Sequence, residues 1–218
     1  MTRKDIAIIG GAFDPVHIGH IDIAKFFINN YIVDEVWMLP SYISPFKDSV
    51  IITSFEDRVN MLKLATHDIP GVTINTFEED FFKTSHGIDK TYTYEVLEAL
   101  KEKYLNSRFH FVVGFDSIKH INKWHRYKEL IRDYWFYIFD RKDDEFTTKA
   151  QKKTYLDNLG KNFGIHFEYE MFDALITDIS STEIRDLLKD IDKNIVILEK
   201  YLNDNVIKYI REHNLYGV

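Results

Sequence analysis

Residues 10–20 read GGAFDPVHIGH and directly follow the apolar run IAII at residues 6–9. A parallel strand that is covered on both faces of its sheet should read as such a continuous apolar run. The adjacent glycines Gly10 and Gly11 allow a sharp turn and a close approach of the backbone to a ligand. The stretch therefore predicts a buried strand, then a tight glycine turn, then the first turn of a helix.

Two histidines, His17 and His20, stand in the first turn of that predicted helix. Residues three positions apart share one helical face, so both imidazoles can approach the same ligand. The start of a helix also presents unpaired N–H groups and the positive end of the helix dipole, which together attract phosphate. The combination indicates an anion site, and a phosphate is the anion it suits best.

The string resembles the signature of the HxGH nucleotidylyltransferase superfamily, whose members transfer a nucleotidyl group from a nucleoside triphosphate and release pyrophosphate. The tetrapeptide at residues 17–20 is also the motif of class I aminoacyl-tRNA synthetases, so it does not separate the two families by itself. A synthetase would also need a Lys-Met-Ser-Lys-Ser loop and a tRNA-binding domain. The sequence shows neither, which favours the nucleotidylyltransferases.

A second segment, ISSTEIR at residues 179–185, has a serine and an acidic residue placed as in an ordinary helix cap. Taken alone, capping explains it as well as binding does. Arg185 favours binding, because hydroxyls, a helix N-terminus and a guanidinium can together hold a pyrophosphate group. The segment resembles the Ile-Ser-Ser-Thr-Xaa-Ile-Arg motif of adenylyltransferases in the same superfamily.

Two further segments resemble the nicotinate and nicotinamide mononucleotide adenylyltransferases. Residues 113–116 (VGFD) followed by Trp124 resemble their Gly-Xaa-Asp and Trp arrangement, and residues 91–93 (TYT) resemble their threonine-rich helix start. A carboxylate at a strand end can accept hydrogen bonds from ribose hydroxyls, and an indole can stack on an aromatic ring. Each segment alone is more simply a turn, a cap or a core residue, and only the combination favours binding.

The sequence departs from this family at three places. Phe46 stands where the family has the histidine of a Pro-His-Lys loop, and Phe115 stands where an alanine usually precedes the aspartate. Arg141 matches a family arginine after the fifth strand, but Lys142 and Asp143 replace the Pro-Gly that usually follows. These departures concern recognition of the mononucleotide and leave the triphosphate motifs intact.

The resemblance implies three groups of site residues. The catalytic group is His17, His20, Lys47 and Arg185. The ATP-binding group is Gly10, Gly11, Phe13, His17, His20, Gly114, Asp116, Ile179, Ser180, Ser181, Thr182 and Arg185. The mononucleotide-binding group is Ala12, Asp14, Lys47, Thr91, Tyr92, Thr93, Trp124 and Arg141. Mg²⁺ is expected to arrive with ATP and to take few ligands from the protein, so no separate metal site is expected.

Strand-like and helix-like runs alternate along the chain, which predicts a doubly wound, parallel, Rossmann-like α/β sheet. Right-handed crossovers should then bring the ends of strands one and four together, where ligands bind in such sheets. The chain is expected to form a single nucleotidylyltransferase domain, in which residues 1–178 form the sheet core and 179–218 a small C-terminal helical region that completes the ATP site. Further strands are predicted at residues 33–40, 72–77, 109–114, 134–139 and 165–172, and helices at 18–30, from 54 and around 195–213.

Two polar stretches are expected to lie on the surface. The acidic run at residues 78–80 is interpreted as the solvated end of the third strand. Residues 140–153 are interpreted as a surface connection that leads into a short helix, with a solvated acidic run at 143–145. The remaining histidines lack metal-ligand spacing and are assigned structural roles: His86, His110, His120, His125 and His166.

Composition narrows the functional classes. The 218 residues are 45% hydrophobic, which suffices for a sizeable core, and the absence of cysteine excludes disulfides and thiolate chemistry. A net charge of −7 argues against nucleic acid as the main partner. No apolar run approaches ~18 residues, so no membrane span is expected. These features predict a cytoplasmic protein with small-molecule partners, and they leave a homo-oligomer open.

The resemblance implies a transferase of NAD biosynthesis that moves AMP from ATP to the 5′-phosphate of nicotinate mononucleotide, giving deamido-NAD and pyrophosphate. Three alternatives stay open at this point. The acceptor could be nicotinamide mononucleotide or another phosphorylated compound such as pantetheine phosphate. The chain could also be a nucleotide-binding sensor without catalytic activity.

Overall fold

The computed structural model describes residues 3–43, 52–85, 87, 89–140, 145–173 and 176–218. Six parallel strands form one sheet: β1 (Lys4–Gly11), β2 (Glu35–Pro40), β3 (Val72–Ile74), β4 (Ser107–Gly114), β5 (Trp135–Phe139) and β6 (Tyr169–Phe172). Their order across the sheet is β3-β2-β1-β4-β5-β6. The predicted doubly wound parallel sheet is confirmed, and β1 and β4 are neighbours at the point where the strand order reverses.

The helices run α1 (Ile18–Asn29), α2 (Phe55–Thr66), α3 (Phe77–Thr84), α4 (Thr93–Lys103), α5 (Phe115–Ile118), α6 (Tyr127–Asp133), α7 (Lys149–Phe163), α8 (Ser181–Leu188), α9 (Ile191–Leu198) and α10 (Asp204–Glu212). Short 3₁₀ turns lie at Ile121–Lys123 and Leu215–Gly217. Among the described residues, no helix has the length and apolar character that crossing a membrane requires.

Two apolar layers cover the two faces of the sheet. One layer joins Phe27 of α1, Met38 of β2 and Ile210 of α10, and the other joins Ile8 of β1 with Leu97 of α4. The apolar residues 6–9 of β1 are all buried, as expected for a central strand. Because α8, α9 and α10 contribute to the first layer, the C-terminal helices are packed against the same face of the sheet as α1.

The acidic run at residues 78–80 is part of a helix, so its interpretation as a solvated strand end is wrong. β3 ends at Ile74, and the Asn75 side chain accepts a hydrogen bond from Phe77 N–H at 2.9 Å, which starts α3. Three acidic residues in the first turn of α3 favour the helix, because they face its positive end. Phe77 and Glu78 are buried, and alternation alone does not show where a strand gives way to a helix.

The stretch at residues 140–153 also differs from its interpretation. The helix that it leads into, α7, has 15 residues and is not short. Lys152 in its first turn is buried and pairs with Asp140 at the end of β5. Thr148 caps α7 by accepting from Gln151 N–H at 3.2 Å, and residues 141–144 lie outside the described residues.

Candidate active site

The turn after β1 differs from the glycine turn that the sequence suggests. Gly10 and Gly11 are the last residues of the strand and pair in parallel register with Leu39 and Pro40 of β2. The left-handed residue is Phe13, with a φ of 51° and a fully buried ring. A non-glycine residue in this conformation stores strain of the kind that gathers at functional sites.

The two motif histidines lie side by side at the start of α1. Their ring centroids are 3.8 Å apart, and the Phe13 ring meets the His20 ring edge-on at 4.9 Å. His17 N–H donates to His20 Nδ1 at 3.3 Å. Since Nδ1 accepts, a neutral His20 carries its proton on Nε2, and that N–H is a donor for a phosphate oxygen.

Gly19 between them is required by a close approach of the chain. A Cβ at this position would lie 2.8 Å from the carbonyl oxygen of Thr177, which is backbone and cannot yield easily. The Thr177 N–H and hydroxyl both donate to Asp22 Oδ2, at 3.0 and 2.7 Å. The segment that leads into α8 is therefore fixed directly against the first turns of α1.

The predicted cap at the start of α8 is confirmed. Ser180 Oγ accepts from Glu183 N–H at 3.2 Å, and Glu183 Oε2 accepts from Ser180 N–H at 2.8 Å. This reciprocal capping box fixes the helix start and the direction in which its first N–H groups point. Ile179, just before it, is buried in the core.

The first turn of α8 is bonded to the turn that precedes α1. Ser181 Oγ donates to the carbonyl of Pro15 at 2.9 Å, and Arg185 Nη1 donates to the carbonyl of Asp14 at 2.8 Å. Arg185 Nη2 also donates to Thr182 Oγ1 at 3.1 Å. The two motifs, 166 and 171 positions apart at these bonds, thus form one structure. Two helix N-termini, two imidazoles and a guanidinium can together bind a chain of phosphates.

Asp14 has an internal role in the structure. Its buried carboxylate accepts hydrogen bonds from Ile52 N–H, the Thr53 hydroxyl and the Tyr216 hydroxyl, each at 2.7 Å. Burial raises the pKa of Tyr216, and the neighbouring Asp14 carboxylate raises it further. Asp14 therefore fixes the motif turn to residues 52–53 and to the C-terminal end of the chain. Its contact with a mononucleotide stays a prediction.

Two residues of this region, Arg58 and Tyr216, are not among those that the sequence predicts. Arg58 is fully buried, and its Nη1 donates to the carbonyl of Ala12 at 2.7 Å. Burial lowers its pKa, while the nearby carboxylates of Asp14 and Glu78 act in the opposite direction. A signal existed, because Arg58 stands four residues before Leu62 on the apolar face of α2. Tyr216 gave none.

The second group of predicted residues lies around the starts of α4 and α5. Thr91 is buried, and its hydroxyl lies 3.1 Å from the carbonyl of Ile43. Tyr92 caps α4, which begins at Thr93, and its ring lies 4.4 Å from the ring of His125. His125 therefore borders the predicted mononucleotide residues, although the sequence gave it only a structural role.

Trp124, Gly114 and Asp116 complete this group. Trp124 is half-buried and meets the Phe111 ring of β4 edge-on at 6.0 Å. Gly114 ends β4 and caps α5, and Asp116 in the first turn of α5 is half-buried. These residues lie at the carboxyl ends of the strands, as ligand-binding residues do in sheets of this kind. Lys47 and Arg141 fall outside the described residues.

Comparison with known proteins agrees with this arrangement. The chain matches the cytidylyltransferase-like family over residues 8–187. It is 30% identical to a probable nicotinate-nucleotide adenylyltransferase of Oceanobacillus iheyensis, over 98% of this chain and 97% of the relative. It is 34% identical to one of Hydrogenobaculum sp., over 97% and 98%. The chain belongs to the nicotinate-nucleotide adenylyltransferase family.

Solved structures of nicotinate-nucleotide adenylyltransferases extend the similarity to the fold. Plasmodium falciparum nicotinic acid mononucleotide adenylyltransferase, complexed with NaAD, superposes with a TM-score of 0.76 at 26% identity, covering 98% of this chain and 97% of the other. The same enzyme complexed with APC gives a TM-score of 0.74 over the same shares. The family resemblance seen in the sequence is confirmed.

Proposed function

We propose that this protein transfers AMP from ATP to the 5′-phosphate of nicotinate mononucleotide, forming deamido-NAD and pyrophosphate in NAD biosynthesis. The observation that carries the proposal is the direct bonding of the α8 start to the motif turn, through Ser181 to Pro15 and Arg185 to Asp14. It joins the two motifs at the carboxyl end of β1, which supports their proposed binding of one chain of phosphates. The names of the relatives supply the acceptor.

The chemistry requires positioning and charge stabilisation. A phosphate oxygen of the mononucleotide attacks the α-phosphorus of ATP, the bond to the bridging oxygen of the β-phosphate breaks, and pyrophosphate leaves with that electron pair. The attacking phosphate is already a nucleophile near neutral pH, so no general base is needed. The protein must align the two phosphates and offset the charge that builds around the α-phosphorus.

The proposed roles follow the two halves of the site. His17 and His20 bind the α- and β-phosphates, and the α8 start with Arg185 binds the β- and γ-phosphates. Lys47 contacts the phosphates of either substrate. Asp116 binds ribose, and Trp124 with the Thr91 segment holds the pyridine nucleotide.

We propose that Mg²⁺ enters with ATP, bound to its phosphate oxygens. Within the described ranges no group of three or more His, Asp or Glu residues is placed to hold a metal ion. Mg²⁺ generally keeps much of its water and takes few protein ligands when it accompanies a nucleotide. When bound, the ion would neutralise charge on the phosphate oxygens.

The test offers nicotinate mononucleotide, nicotinamide mononucleotide and pantetheine phosphate in parallel, each with ATP and Mg²⁺, and measures pyrophosphate release. We expect release with nicotinate mononucleotide, and little with the other two acceptors. Pyrophosphate release with only one of the other acceptors would show that the acceptor is wrong but that the adenylyl transfer is right. ATP binding without release for any acceptor would favour the catalytically silent sensor and overturn the proposal.

A further inference from the structure

Glu78 is a buried carboxylate at the edge of the site. It lies in the first turn of α3, and its Oε2 accepts hydrogen bonds from Tyr42 N–H at 3.1 Å and from the Thr91 hydroxyl at 2.8 Å. Glu78 and Thr91 are both almost completely buried. Burying a carboxylate is costly unless hydrogen bonds or a charged partner satisfy it.

The two donors come from different parts of the chain. Tyr42 follows β2, and Thr91 precedes α4. Thr91 is also bonded to Ile43, whose carbonyl accepts from Thr91 N–H at 3.3 Å. Glu78, Thr91 and the backbone of residues 42–43 thus form a closed junction of three segments.

Aromatic contacts place this junction beside the predicted mononucleotide residues. The Tyr42 ring packs 5.2 Å from Phe82, one turn after Glu78 on α3. On the other side, Tyr92 follows Thr91 directly and stacks on His125, the neighbour of Trp124. A shift of Thr91 would therefore move the Tyr92 backbone and its contact with the Trp124 segment.

We propose that Glu78 is a positioning residue for the acceptor nucleotide: it fixes Thr91 and the start of α4, and so sets the wall that receives the mononucleotide. This inference rests on the proposed function, because it assigns Glu78 to the acceptor side of that reaction. Glu78 acts through Thr91 and Tyr92 and is not placed against the phosphates of ATP.

The junction is satisfied in both protonation states of Glu78. When ionised, Oε2 accepts from Thr91 and Tyr42. When protonated on Oε2, the carboxyl donates to Thr91 Oγ1, and Thr91 then donates to the Ile43 carbonyl 3.1 Å away. Burial raises the pKa of Glu78 to about 7, while Thr91, the Tyr42 N–H and Arg58 of α2 act in the opposite direction. The junction therefore holds Thr91 in either form of the Glu78 carboxyl.

The kinetic test compares Glu78→Ala with Glu78→Gln. Losing both acceptor bonds in Glu78→Ala should raise the KM for nicotinate mononucleotide about tenfold. The KM for ATP and kcat should stay within about twofold of the parent protein, since no triphosphate contact changes. Glu78→Gln keeps an acceptor for both donors, so it should restore the KM.

Glu79→Gln is the matched control, because Glu79 is the next residue of α3 and pairs with Lys83 at the surface. It should leave both KM values unchanged. The inference is wrong if Glu78→Ala leaves the mononucleotide KM unchanged. It is equally wrong if the two KM values rise together, because that is the result of general destabilisation.

Hydrogen exchange separates this inference from the proposed function. In Glu78→Ala, amides of residues 42–43 and 91–95 should exchange faster, while those of α8 should not change. If the parent protein forms no dinucleotide, the proposed function fails whatever the exchange shows. If the parent is active and these amides exchange as before, the positioning role of Glu78 fails alone.

Discussion

The two ends of the sheet hold their carboxylates in opposite ways. At the amino end of β1, Asp5 accepts from Arg108 Nε at 2.6 Å and Nη2 at 2.8 Å, and lies 2.7 Å from His110 Nε2. Arg108 holds the pKa of Asp5 down to about 2. Near the carboxyl ends of the strands, Glu78 is held by a hydroxyl and a backbone N–H, and burial raises its pKa to about 7.

The arginines at the two ends of the sheet also differ in their partners. Arg108 forms an ion pair with the Asp5 carboxylate, and this pair links β4 to β1. Arg185 donates to the Asp14 carbonyl and the Thr182 hydroxyl, which are neutral acceptors. These neutral groups therefore fix its orientation, and we expect its charge to bind a phosphate. The arginine at the amino end is therefore used for stability, whereas the arginine at the carboxyl end is oriented for the proposed binding of phosphate.

The largest expected effect compares two histidines. His20→Ala should lower kcat about 10²–10³-fold, because it removes a donor to the phosphates in the transition state. His110→Ala should leave kcat nearly unchanged and lower the Tm, because His110 is buried against Asp5 near the amino end of β1. Pyrophosphate release and thermal melts on both variants check this. Full activity in His20→Ala would show that His20 does not act on the phosphates and does not differ from His110 in this respect.

The next effect compares two arginines. Arg185→Gln should lower kcat/KM about 30–100-fold, since a charged donor to phosphate is lost. Arg108→Gln should lower only stability, by about 1 kcal/mol, because its ion pair with Asp5 is partly exposed to solvent. Steady-state kinetics and urea unfolding measure the two losses. An equal fall of kcat/KM in both variants would show that Arg185 has no special role in binding phosphate.

A pair of acids should show opposite pH dependence. The folded pKa of Asp5 lies below its ordinary value, so its stabilisation is present above about pH 4 and is lost as the pH falls towards 2. The folded pKa of Glu78 lies above its ordinary value, so the unfolded chain loses its proton first and stability falls as the pH rises from about 4.5 to 7.

Urea unfolding across this pH range tests both signs. Asp5→Asn should cost about 1 kcal/mol near neutral pH, which is less than the pKa shift alone would give because the pair is partly exposed. The cost should shrink as the pH approaches 2 and disappear below it. Glu78→Gln should lose less stability than the parent protein between about pH 5 and 7. Parallel pH curves for the parent and both variants would contradict the comparison of the two ends.

The smallest effect concerns the C-terminal end. Tyr216→Phe removes one of three donors to Asp14 and should cost about 1 kcal/mol of stability, with a small fall in kcat. Tyr31→Phe, at an almost fully exposed tyrosine, is the control and should change neither quantity. A Tm equal to that of the parent protein would show that Tyr216 contributes nothing to fixing the motif turn.

Local signals account for what the sequence predicts well. The apolar run of β1, the helix that starts after His17 and the cap at Ser180 depend on neighbouring residues, and the structure confirms all three. Resemblance to the family supplied the pairing of the two motifs. The bonds from Ser181 and Arg185 that join them are tertiary and appear only in the structure.

Burial of charge accounts for what the sequence did not predict. Glu78 is interpreted from the sequence as a solvated residue and Arg58 is not singled out, because charged side chains are seldom buried without partners. Their partners, Thr91 and the Ala12 carbonyl, lie 13 and 46 positions away. The prediction of a glycine turn after β1 is also wrong. The positive φ belongs to Phe13, whose ring packs against the ring of His20.

The central claim, that the two motifs act together to move the adenylyl group, is tested most directly by following labelled phosphorus. ATP labelled at the α- or the γ-phosphate would be incubated with nicotinate mononucleotide, Mg²⁺ and either the parent protein or His20→Ala. We expect the α-label in the dinucleotide and the γ-label in pyrophosphate, with both transfers lost in the variant. Label from the γ-phosphate on the mononucleotide would show that a phosphoryl group is transferred and not AMP. Equal transfer by His20→Ala would show that the first motif does not take part.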